Sequence, residues 1–113
     1  MNPVTAAAGI LIAATGLVHS VLGERRILKP LLAAGAFEAV PRAARAIRFT
    51  WHLVTLLMVL TALTVAWPGT PVILIRMIGA AYLLLGLLSL AMTRGRHISG
   101  PLFTGAGLLA LIA

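Results

Sequence analysis

The chain has 113 residues, of which 61% are hydrophobic and only 10% charged, and its formal net charge is +7. With a mean hydropathy of +1.10, one domain over residues 1–113 reads as an integral membrane protein, so the positive charge reports topology and excludes a nucleic-acid partner. The absence of cysteine excludes disulfides, thiolate zinc sites, iron–sulfur clusters and thiol redox chemistry.

The first apolar run covers residues 3–22. It is longer than a signal-peptide core of roughly 7–15 residues and lacks a basic leader, so it reads as a retained span. Its polar residues Thr15 and His19 are one turn apart, and Gly9, Ala13 and Gly16 form a seam of small residues suited to close helix packing. Residues 25–34 then read as a short amphipathic segment lying in the interface. Ile27, Leu28, Leu31 and Leu32 point toward lipid in that reading, while Arg25, Arg26 and Lys29 snorkel. Gly35 is expected to end this segment, and Pro41 to open the next helix.

The second span is expected at about 44–67. Trp51 and Trp67 bracket it as interfacial anchors, about 24 Å apart along a helix axis. Arg45, Arg48, His52 and Thr55 fall within an arc of about 80° on this helix. The connection Trp67-Pro-Gly-Thr-Pro71 is a tight turn, which predicts that the second and third helices are antiparallel neighbours. The third span, at about 71–93, carries a stripe of Gly79, Tyr82, Gly86, Ser89 and Thr93. The fourth, at about 99–113, is short, with Ser99 expected as N-cap and Pro101 in the first turn. The resulting fold class is all-α, an integral membrane four-helix bundle.

Arg25, Arg26, Lys29, Arg42, Arg45, Arg48, Arg94 and Arg96 fall on one side of this arrangement, and only Arg76 lies toward the other. Eight cations against one place that side in the cytoplasm of a bacterial inner membrane, with several passes and both termini on the non-cytoplasmic side. Arg76 is expected to snorkel, with the carboxylate of Ala113 as its nearest candidate partner.

Polar residues therefore converge at the cytoplasmic end, in a cluster of His19, Glu24, Arg45, Arg48 and His52. Equal depth on antiparallel helices predicts that His19 and His52 face each other. The favoured reading is an accessory or interaction protein without enzymatic activity, whose cluster binds an anionic lipid headgroup or a partner. Arg94, Arg96 and the backbone near Ser99 and Gly100 form a second candidate anion site at a helix N-terminus. Gly9, Ala13, Gly16, Gly79 and Gly86 motivate packing into a homo-oligomer or a larger membrane complex. The alternative is haem or a first-row metal on His19 and His52, with His97 or Glu24 as a further ligand. A small transporter is a second alternative, for which the mid-membrane region offers little beyond Thr55 and Tyr82. No serine, histidine and acid arrangement emerges from the spacing, because Ser20 is adjacent to His19 rather than opposite it.

The segments Gly16–Arg25 (GLVHSVLGER) and Arg48–Leu53 (RFTWHL) resemble those of small uncharacterised bacterial four-helix membrane proteins. The resemblance covers mainly the first two spans, implies no activity, and singles out His19, Glu24, Arg48, Trp51 and His52 as a set. The chain also resembles small multidrug resistance transporters in size and span count. Their hallmark glutamate lies within the first helix, whereas Glu24 falls at its end.

Overall fold

A computed structural model describes residues 2–113. Its helices are α1 (Pro3–Gly23), α2 (Lys29–Ala33), α3 (Pro41–Ala66), α4 (Val72–Thr93) and α5 (Ser99–Ile112), with a π-helical turn at Glu24–Leu28 and no strand among the described residues. Helix ends follow local chemistry. Asn2 caps α1, its Oδ1 accepting from the Val4 N–H at 2.9 Å, and Pro3 occupies the first turn, where a missing N–H costs nothing. Pro41 opens α3 in the same way. At the end of α4 the chain turns through Arg94 (φ 52°) and Gly95 (φ 73°), and the Gly95 N–H reaches back to the Leu90 carbonyl.

Residues 25–34 do not form a separate interfacial element. They continue α1 through the π turn into α2, giving one helical rod over Pro3–Ala33. Pro30 supplies the physical reason, since its ring cannot donate to the ladder and crowds the carbonyl four residues earlier. The Lys29 N–H bonds the Glu24 carbonyl five residues back, so the ladder widens immediately before the proline and the rod continues.

Pro3–Ala33, α3 and α4 are long and apolar enough to cross a membrane, and α5 is a shorter apolar helix. At 14 residues α5 measures about 21 Å. It runs antiparallel to α4, with Gly100 against Leu90, Gly86 against Thr104, and Gly79 against Gly107 and Ala110. Helix α1 packs on both α3 and α5, α4 packs chiefly on α5, and α3 and α4 touch little. The second and third spans are thus joined in sequence without being close neighbours in space. The short α5 fills the centre because its small face (Gly100, Ala106, Gly107, Ala110) is buried against α4 and the core. Ile12, Met58, Val65, Ile75, Tyr82 and Ala106 from four helices meet in one core.

The glycines of the small-residue stripes are consumed within the chain. A Cβ on Gly9 would lie 2.8 Å from the Ala62 carbonyl oxygen, and one on Gly16 would lie 3.2 Å from the Met58 Cβ. Gly79 and Gly86 face α5 in the same manner. These residues bring helices of one molecule together, and so they carry no argument for self-association.

Leu11 lies against Gly105, which sets His19 near the level of His97 by antiparallel counting. Beyond that level the rod runs on through 14 residues to Ala33, about 21 Å. The molecule is accordingly elongated, with principal extents of 49 × 29 × 18 Å. A two-helix projection made of the rod's end and the start of α3 extends past the four-helix section.

Candidate functional site

The site lies where the four-helix section gives way to that projection, and it is built entirely from α1, the π turn and α3. Antiparallel pairing brings residues three to four apart on one helix opposite a matching set on the other. Thr55 Oγ1 donates to the Gly16 carbonyl at 3.2 Å, and the Trp51 indole N–H donates to the His19 carbonyl at 3.1 Å. One step further, Ser20 Oγ meets His52 Nδ1 at 2.5 Å, and His52 Nε2 meets Glu24 Oε2 at 3.1 Å. Arg48 closes the row, its Nε donating to Glu24 Oε2 at 3.2 Å and its Nη2 to Oε1. Gly23 admits this arrangement, because any Cβ there would collide with the Trp51 indole.

These contacts assign the protons. A Glu24 carboxylate can only accept, so His52 Nε2 carries the hydrogen and Nδ1 accepts from the Ser20 hydroxyl. Glu24, 17% exposed in its side chain, is held from two directions by Arg48 and His52. The imidazole is fixed at both nitrogens, and the carboxylate orients it.

The structure unites Glu24, Arg48 and His52 through direct contacts, and brings Arg45 beside Arg48 and His52 without an ion pair. His19 does not face His52. Its ring stacks on Trp51, with centroids 4.7 Å apart and planes within 3°, and its Nε2 is buried without a partner. His97 is engaged elsewhere, its Nδ1 accepting from the Ser99 N–H at 3.1 Å and contacting Ser99 Oγ at 2.6 Å. Among the described residues no three His, Asp or Glu side chains converge on a metal position, so the ligand set of His19, His52 and His97 is not assembled. The two nitrogens of His52 are already committed to Ser20 and Glu24, which removes it as half of a bis-histidine haem pair.

The second anion site is also not formed. Ser99 is the first residue of α5 rather than its cap, Ile98 holds the cap position, and the ring of His97 takes the Ser99 amide. The Gly100 amide bonds the His97 carbonyl, and Gly100 itself is packed against Leu90. Both amides expected to face an anion beside Arg94 and Arg96 are thereby spent. Ion pairs among the described residues are confined to Glu24 with Arg48 and His52, so Arg76 does not pair with Ala113.

Ser20 is the neighbour of His52 that the sequence reading does not place there. Its separation of four residues from Glu24 puts both on one face of α1, a signal present in the spacing, but its partner His52 is 32 residues away.

Two open surface depressions flank His52. One of about 500 Å³ runs along α3 and is lined by Arg45, Arg48, Phe49, His52, Leu53 and Leu56. The other, about 270 Å³, lies on the α1 side between Ser20, Val21, Glu24, Arg25, Lys29 and His52. No known protein family matches the sequence, and no curated protein or solved structure matches it either.

Proposed function

We propose that the protein is a small multi-pass accessory protein of the bacterial inner membrane, with both termini on the non-cytoplasmic side, that binds an anionic lipid headgroup at its cytoplasmic end. The observation that carries this reading is the layout of the larger depression along α3. Arg45 and Arg48 lie at one end, and Phe49, Leu53 and Leu56 continue from them one helical turn at a time, with His52 beside Leu53. An anionic amphiphile needs this sequence of surfaces, a cationic head site followed by an apolar track for a chain. Arg45 makes no ion pair and is free for a headgroup, while Arg48 has half of its side chain exposed beyond its contact with Glu24. Exposed leucines on the outer faces, such as Leu56, Leu60, Leu84 and Leu88, contact lipid or a larger membrane complex.

Native mass spectrometry from nanodiscs that mix phosphatidylglycerol and phosphatidylcholine tests the reading. The expected outcome is retention of the anionic lipid and its loss on Arg45→Gln with Arg48→Gln. At about 1 kcal/mol per basic residue near an anionic surface, each substitution weakens retention roughly fivefold. Equal retention of both lipids by the parent protein would refute it. Inorganic phosphate competing as well as the lipid would assign the site to a free anion.

A further inference from the structure

We infer that Ser20, His52 and Glu24 form a nucleophilic triad at the membrane interface, acting on the carboxylic ester of an amphiphile. Nucleophilic catalysis by serine requires a hydroxyl in hydrogen-bond reach of a base, and a third group that holds the base in the correct tautomer. All three parts are in place. Ser20 Oγ is 2.5 Å from His52 Nδ1, and the opposite nitrogen, Nε2, is 3.1 Å from Glu24 Oε2. Arg48 grips the same carboxylate and keeps it from turning away from the ring. Serine and glutamate come from adjacent turns of one helical rod and histidine from the facing helix, so the geometry is set by helix packing rather than by a mobile loop.

The triad opens onto space that can hold a substrate. Ser20, Glu24 and His52 all line the 270 Å³ depression, which Arg25 and Lys29 complete. Those two cations make the lining of this depression positive, which favours a developing oxyanion over the neutral ester. The depth selects the substrate class. Above Ser20 the helix is apolar, and below it come Glu24, Arg25, Arg26 and Lys29, so the hydroxyl sits at the boundary where an amphiphile carries its ester.

The chemistry balances with water as the only co-reactant. His52 Nδ1 takes the Ser20 proton as Oγ bonds to the ester carbonyl carbon. The intermediate collapses by breaking the bond to the alcohol oxygen, which leaves with the proton held on Nδ1. Water then gives a proton to Nδ1 and its oxygen to the acyl carbon. The Oγ–acyl bond breaks, Ser20 recovers its proton, and a carboxylic acid departs. Ser20 and His52 are the reacting groups, and Glu24 and Arg48 are positioning residues.

The inference stands apart from lipid binding by Arg45, because its test requires no lipid. The purified protein in detergent is treated with a fluorophosphonate probe, followed by intact-mass and peptide mass spectrometry. One adduct is expected, on Ser20, absent in Ser20→Ala and formed at least about 100-fold more slowly in His52→Gln. Glu24→Gln slows labelling as well, and Glu24→Asp restores part of the rate. Arg76→Gln, on α4 away from both sites, labels like the parent, and because labelling is read in detergent without lipid, failure of headgroup binding and failure of the triad are separable. Lack of an adduct at Ser20 on helical, monodisperse parent protein overturns the inference, as does an equal rate in parent and His52→Gln. Should His52→Gln fail to fold, Ser20→Cys provides the second readout. Its alkylation by iodoacetamide is expected to be much faster than that of a cysteine placed at exposed Ala34, and equal rates overturn the proposal.

Discussion

Trp51 is the residue around which the site is organised, since its indole bonds the His19 backbone, stacks on the His19 ring and occupies the space over Gly23. A methyl group at Gly23 has no room, so Gly23→Ala is expected to displace the indole and destabilise the protein by about 1–3 kcal/mol, the usual cost of overpacking. With Trp67→Phe as background, Trp51 becomes the sole tryptophan, and its fluorescence in unfolding titrations reports both effects. Thr55→Val is a milder change. It removes the hydrogen bond to the Gly16 carbonyl while preserving shape, and a loss of about 0.6 kcal/mol is expected, typical of interhelical hydrogen bonds in membranes. At this scale the sequence shows which residues are polar and on which face, and Glu24, Arg48 and His52 meet accordingly. It does not show rotation finely enough to choose between neighbours. Ser20 rather than His19 meets His52, and one residue step is 100° of helix rotation.

Hydropathy and caps place the start of α1 and both ends of α3, α4 and α5 within three residues of their observed positions, because prolines and apolar run lengths act locally. Packing partners are less legible, since they depend on which small faces match. Gly107 shows this, because it receives the backbone of α4 at Leu83 and Gly79, whereas Gly105, two residues earlier, has only Leu11 Cδ2 at 3.5 Å. Gly107→Ala is therefore expected to force α4 and α5 apart, at a cost of about 1–3 kcal/mol by the same overpacking argument. Gly105→Ala is expected to stay within about 0.5 kcal/mol of the parent, as for substitutions away from tight contacts. Reversible unfolding of both variants in mixed micelles checks the contrast. The tight connection between α3 and α4 misleads for a related reason. A short turn fixes only where two helices meet, and the complementary small faces of α4 and α5 draw α4 away along its length.

Over the whole molecule the projection beyond the four-helix section collects most of the unpaired charge. Arg25, Arg26, Lys29, Arg42 and Arg45 lie on it or at its base, and Glu38 is its only acid besides the engaged Glu24. Charge asymmetry on that scale is what topology responds to, and the proposed orientation accordingly puts the projection in the cytoplasm and the Trp67–Pro71 connection on the opposite side. A cysteine-free chain allows a direct test with single replacements. Ala34→Cys at the end of the projection and Thr70→Cys in the opposite connection both avoid the positive-φ positions Gly35, Gly69 and Gly95, where a side chain would be strained. In intact bacterial cells with a permeabilised outer membrane, an impermeant maleimide is expected to label Thr70→Cys and to spare Ala34→Cys. Inverted inner-membrane vesicles reverse the pattern. Labelling of both positions from one side contradicts the assigned crossing, because α3 alone separates the two connections and must then fail to traverse the bilayer. The reverse labelling pattern retains the helices and moves the cluster of Ser20, Glu24, Arg48 and His52 to the outer leaflet. In that case the groove along α3 faces lipids of the opposite leaflet, and nanodisc experiments must use headgroups found there.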